Sequence, residues 1–108
     1  MEMKKIAAVA EAHFIDCAPH NPQSWVSTFA SIHVDACTPN CVIQEYIQGP
    51  AWQADLFQTE LFIENGYAPL PTRPGLGLEF DEAEAARHPY VPDFRPEWRW
   101  EDGSVADW

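Results

Sequence analysis

Two residues of this chain have the types and the setting to do chemistry together, His20 and Glu45. An imidazole changes charge near neutral pH and can take or give a proton there, provided that a partner orients it. His20 lies in Ala18-Pro19-His20-Asn21-Pro22, where the two prolines hold the backbone extended around it. Glu45 lies near the end of the apolar run Cys41-Val42-Ile43-Gln44-Glu45-Tyr46. Taken alone, either residue has a plainer reading, as a structural loop histidine or a solvated strand-end carboxylate. A competing set is Cys17 and His20, spaced C-x-x-H, with Cys37 and Cys41, spaced C-x-x-x-C, which is a ligand set for a small structural zinc site. Cys17 sits inside a predicted strand, however, and a helix of about a dozen residues puts roughly 18 Å between His20 and Cys37. The sequence therefore favours three small thiols in a core over a shared tetrahedral site.

The elements that must position His20 and Glu45 read as strand, loop, helix, strand. Ile15 to Pro19 is a short apolar run, too short for a helix. Ser24 is a plausible N-cap for a helix running to Cys37, with Val26, Phe29, Ala30, His33 and Cys37 on one face. Thr38-Pro39-Asn40 breaks that helix, and Cys41 to Glu45 forms the second strand. A helix between two strands so close in sequence predicts a right-handed parallel crossover, with His20 and Glu45 on one edge facing a common cleft. Before this unit, the alanine-rich stretch Lys4 to Phe14 has helical spacing, with Ile6, Val9, Ala10 and His13 on one face.

After it, Gly49-Pro50 ends the crossover. Leu56 to Ile63 alternates weakly, and Asn65-Gly66 predicts the tip of a hairpin. The stretch from Ala68 to Gly77 is rich in proline and glycine and reads as an ordered extended loop. Its Gly75 and Gly77 lack the Lys-Ser/Thr of a phosphate loop. Asp81 is a fair N-cap for a short helix to about Arg87, His88 reads as a surface residue, and the tail to Trp108 is too aromatic to be disordered.

The chain has 108 residues, enough for one domain with a modest core. Its net charge of -11 argues against nucleic acid or an anionic membrane as partner, while permitting an acidic interaction protein without catalysis. No apolar run approaches the thickness of a bilayer, and no signal peptide is evident at Met1-Glu2-Met3-Lys4-Lys5. Three cysteines without disulfide-type spacing point to reduced thiols and a cytoplasmic setting.

Five motifs in order carry a family resemblance: Ala18-Pro19-His20-Asn21-Pro22, Thr38-Pro39-Asn40, Ile43-Gln44-Glu45, Pro71-Thr72-Arg73-Pro74-Gly75-Leu76-Gly77 and Asp102-Gly103-Ser104-Val105-Ala106-Asp107-Trp108. Across nearly its whole length the chain resembles the mandelate racemase and muconate lactonizing enzyme group of the enolase superfamily, most of all sugar-acid dehydratases of the galactonate type. The resemblance implies an α/β fold, the C-terminal fragment of a (β/α) barrel with the tail of the capping domain. Residues 1–48 would be the end of the sixth barrel helix, the seventh strand and helix and the eighth strand; residues 49–108 would be the return hairpin, loop, short helix and tail. It implies His20 as the base that removes the proton α to a sugar-acid carboxylate, and Glu45 as a group that holds substrate and intermediate.

The resemblance also implies Mg²⁺ in the parent enzyme, on three carboxylates of the third, fourth and fifth strands. Those ligands would lie upstream of Met1, as would the aspartate that pairs with the histidine, because a whole barrel needs roughly 250 residues. The implied chain is a truncated one, inactive alone, with no metal ligands of its own and with exposed strand edges that invite a homo-oligomer. Gln23 and Trp25 depart from the smaller or different residues of the family pattern.

Overall fold

The computed structural model describes residues 2–58, 61–92 and 98–106. Helix α1, Glu2–Ala12, ends in a left-handed residue, Phe14 (φ 57°). The Ile15 amide donates to the Ala10 carbonyl and the Phe14 amide to that of Glu11, which closes the helix with a Schellman pair. Helix α2, Trp25–Asp35, starts after Ser24, whose side chain makes no capping bond. A 3-10 helix spans Ala51–Leu56. Helix α3, Glu82–Ala85, is capped by Asp81, whose Oδ1 accepts from the Glu84 amide at 2.9 Å.

Both long helices bury a different face from the one predicted. In α1 Ala7 is buried, while Ile6 and Val9 are exposed. In α2 the buried residues are Trp25, Thr28, Phe29 and Ile32, whereas Val26 is exposed. That set also has helical spacing, and it places the large indole inside. Trp25 stacks on Phe57 with ring centroids 5.5 Å apart, and Phe57 meets Phe80 at 5.7 Å. Tyr46, Leu56, Leu61 and Leu78 pack around Trp25, Phe29 and Phe57. Trp25, a departure from the family pattern, is thus the anchor of the core.

The two predicted strands, 15–19 and 41–45, meet in parallel but shrink to a single rung between Cys17 and Cys41. The Cys17 amide donates to Asn40 (2.7 Å) and the Val42 amide to Cys17 (3.1 Å). The next rung would need an N–H on Pro19, which proline lacks. The Gln44 carboxamide donates to the Pro19 carbonyl instead, at 3.3 Å. On the other side, the Asn40 carboxamide donates to the Ile15 carbonyl at 2.9 Å and to the Ala7 carbonyl at 3.0 Å. Two side-chain amides therefore do the work of the missing ladder, and Asn40 ties α1 to it.

The predicted hairpin is likewise reduced. Asn65 and Gly66 form a tight turn with positive φ (52° and 81°), closed by reciprocal bonds between Glu64 and Tyr67. Phe57 pairs antiparallel with Phe80 instead of continuing that hairpin. Residues 68–77 are irregular, as predicted, and Gly77 (φ 84°) approaches Pro71 so closely that an added Cβ would fall 2.7 Å from the Pro71 Cβ. His88 is not a plain surface residue: it is partly buried, stacks on Trp52 at 4.2 Å and lies 3.4 Å from the Glu84 carboxylate. The predicted packing of the tail falls partly on 93–97 and 107–108, outside the described residues. Within 98–106, Arg99 and Val105 bridge antiparallel across an Asp102-Gly103 turn, and Trp98 and Trp100 are exposed.

Candidate active site

The loop from Pro19 to Ser24 leaves the single rung in extended form and carries His20 over the end of the 41–46 segment. There the His20 Nδ1 lies 2.6 Å from Glu45 Oε2. The same oxygen accepts the Asn21 amide, also at 2.6 Å. With two N–H donors converging on it, Oε2 is an acceptor, and the imidazole proton belongs on Nδ1. That leaves the opposite ring nitrogen, Nε2, as the acceptor of the ring. The His20 side chain is 80% exposed and that of Glu45 38%, so this pair contributes only about 0–1 kcal/mol to stability. Its significance is geometric: a carboxylate fixes one tautomer of a histidine, the arrangement a general base requires.

Asn21, between the two, is fully buried at 0% exposure. Its Nδ2 donates to Thr28 Oγ1 (2.9 Å) and to the Glu45 carbonyl (3.3 Å). Thr28 in turn donates to the Ser24 carbonyl at 3.3 Å. Gln44 also donates to the Glu45 carbonyl, at 2.7 Å. Asn21, Thr28 and Gln44 were missed as site residues, although Asn21 and Gln44 sit beside His20 and Glu45 in the motifs. A buried asparagine in a proline-flanked loop is a signal for a backbone brace.

The other histidines stand apart from the site. His13 is exposed, and the His33 Nε2 meets the Leu76 carbonyl at 3.2 Å, holding the glycine loop to α2. The three cysteines form no disulfide. Among the described residues, no group of three or more His, Cys, Asp or Glu side chains gathers in a way that could hold a metal ion. The zinc arrangement of Cys17, His20, Cys37 and Cys41 is thus not formed, and the residues described do not fit a Mg²⁺ site.

The model of the family described as enolase C-terminal domain-like matches residues 1–84. The chain belongs to that family, within the mandelate racemase and muconate lactonizing enzyme group of the enolase superfamily. More particularly, it is similar to D-galactonate dehydratase of Ralstonia pickettii, with 40% identity over 116 residues, covering 99% of this chain and 30% of that protein. Among solved structures, it resembles an enolase from Pantoea ananatis with bound D-gluconate and Mg, at TM-score 0.84 and 34% identity, covering 96% of this chain and 26% of that one. A mandelate racemase/muconate lactonizing enzyme from a Sulfitobacter species matches at TM-score 0.77 and 41% identity, covering 86% of this chain and 23% of its own. The chain thus spans less than a third of the length of these relatives. Among the described residues no helix is long and apolar enough to cross a membrane.

Proposed function

We propose that this chain carries the proton-transfer edge of an acid-sugar dehydratase site, with an aldonate of the galactonate kind as substrate. The observation that carries this reading is the His20–Glu45 pair at 2.6 Å, on a chain 40% identical to a D-galactonate dehydratase. In this reading, His20 takes the proton from the carbon α to the substrate carboxylate, and Glu45 holds substrate and intermediate. The electron pair of that C–H bond passes toward the carboxylate and returns to expel the 3-hydroxyl, which takes a proton from a second histidine outside these residues and leaves as water; the enol so formed shifts its proton to C3 and becomes a 2-keto-3-deoxy acid. Magnesium would stabilise the charge that develops on the carboxylate. The residues described offer it no site, and its ligands would come from the rest of the barrel.

The barrel placement belongs to the same proposal: residues 1–48 as the last βα units of a barrel, residues 49–108 as return chain and capping tail, in a cytoplasmic protein. The chain alone is then inactive, because an enediolate with no cation beside it lies too high in energy for one histidine to reach. The test is a chimera in which these 108 residues replace the matching stretch of the Ralstonia pickettii enzyme. The chimera should dehydrate D-galactonate, and His20→Asn should lower kcat by about 10²–10⁴-fold. A folded chimera without dehydration, or a His20→Asn chimera as active as its parent, would overturn the reading.

A further inference from the structure

We infer that Asn65 is a site of self-modification: the Gly66 nitrogen closes on the Asn65 side chain, ammonia leaves, and water opens the resulting imide to aspartate and isoaspartate, which undoes the turn.

The chain has three asparagines, and their surroundings separate them. Asn21 is followed by Pro22, whose nitrogen has no proton to give up and so cannot attack. Asn40 is followed by Cys41, whose amide donates to the Thr38 carbonyl at 3.1 Å. The Asn40 carboxamide is itself held, through Nδ2, on the Ala7 and Ile15 carbonyls. Asn65 is the opposite case. Its carboxamide and the Gly66 amide make no hydrogen bond among the described residues, and both residues are exposed. Gly66 has no Cβ, and the space where one would stand is empty. The attacking nitrogen and Cγ thus need only close a five-membered ring, with nothing in the way. Asp102-Gly103 has a similar sequence but not the same freedom. The Asp102 Oδ1 accepts from the Ser104 amide and hydroxyl, and the Gly103 amide donates to the Trp100 carbonyl.

In the first step, the Gly66 N–H gives its proton to hydroxide and the nitrogen bonds to Asn65 Cγ. The Cγ–Nδ2 bond breaks. The departing nitrogen takes a proton from water and leaves as ammonia, which restores the hydroxide. Water then adds to one of the two imide carbonyls. Breaking the bond from the Gly66 nitrogen to Cγ gives aspartate. Breaking its bond to the Asn65 backbone carbonyl carbon gives isoaspartate, whose main chain runs through Cβ and Cγ. Both products carry a new carboxylate, but only isoaspartate lengthens the backbone. The turn has two central residues, both at positive φ, and is closed by the reciprocal Glu64 and Tyr67 bonds at 2.9 Å. So tight a loop cannot take an added backbone atom and keep both bonds. Gly66 and Tyr67 also line a cavity with Thr28, Ile32 and Gln44, so the same step opens one wall of it.

The experiment ages the full chain in mildly alkaline buffer and maps it by mass spectrometry, with fragmentation that tells isoaspartate from aspartate. Residue 65 should become an acid, mostly isoaspartate, while Asn21 and Asn40 remain amides. Gly66→Ala should slow the conversion by at least about tenfold, because its methyl hinders ring closure. Chymotrypsin should cut after Tyr67 faster in the aged chain than in the fresh one. Fresh Asn65→Asp, which adds the charge without the extra backbone carbon, should be cut at the fresh parent's rate. Asn40 converting as fast as Asn65, or an unchanged rate in Gly66→Ala, would overturn the site. An aged chain cut no faster than the fresh one, or Asn65→Asp cut as fast as the aged chain, would overturn the opening of the turn.

Discussion

Asp35 is the residue whose surroundings most clearly work against it. Both of its carboxylate oxygens are buried, with the Cys41 thiol beside them, and it is the last residue of α2, where the helix dipole is negative. Burial raises its pKa, opposed in part by the neighbouring Cys41 thiol. A carboxyl group with a raised pKa in the fold favours the native state below its unfolded value, and that advantage is lost as the pH climbs through the folded value. Asp35→Asn should therefore raise the melting temperature at pH 7, with the gain shrinking toward pH 4. A gain that is equal at both pH values would count against it. The Cys41 thiol shows the same sign. Burial first, then the Asp35 carboxylate, pushes it from 9.0 up to about 11. Stability should accordingly fall between those two pH values, and at pH 8 iodoacetamide should label exposed Cys37 before Cys41.

At the level of elements, Phe14 pays a conformational penalty for nothing in return. It adopts φ 57° to end α1, yet its side chain is 99% exposed. Phe14→Gly should stabilise the chain by about 0.5–1 kcal/mol, since glycine enters this region freely and no packing is lost. Gly77→Ala should do the reverse, combining a positive φ with a clash against Pro71, and should cost more than Gly66→Ala, where the added methyl meets nothing. Chemical denaturation of the three variants checks the order. The sequence revealed the helices, the Asp81 cap and the Asn65-Gly66 turn because each depends on a few adjacent residues. It placed His20 and Glu45 at neighbouring strand ends because strand-helix-strand order brings two such ends together, but their direct contact at 2.6 Å was not legible. It did not reveal which face of α2 is buried, because two faces have helical spacing and tertiary packing chooses between them. Nor did it reveal the strand length, since a ladder stopped by Pro19 and continued by Gln44 and Asn40 leaves no trace in apolar periodicity.

On the scale of the whole molecule, the Cα radius of gyration is 17.5 Å, against about 13 Å for a compact domain of this length. The buried apolar residues are few: Ala7, Trp25, Phe29, Ile32 and Phe57 among those described. Ile6, Val9, Val42, Ile43 and Ile47 meanwhile lie exposed around the single rung. Such a surface favours association. Sedimentation of the purified chain should show oligomers, and a monodisperse monomer would contradict this.

The contacts between the 3-10 helix and α3 bear on what happens if the backbone is cut. Phe57 bridges to Phe80, the Asp81 amide donates to Leu56 and that of Gln58 to Glu79, and His88 lies flat on Trp52. These bonds close the base of the long excursion that includes the Asn65-Gly66 turn and the proline-rich loop, while His33 grips its far side at Leu76. Tyr67 stands out in solvent on that excursion, open to chymotrypsin. A nick after Tyr67 severs one covalent link and none of these contacts. The two pieces should therefore travel together through a native sizing column and part only in denaturant, so that the 108-residue chain behaves as a self-assembling pair of peptides.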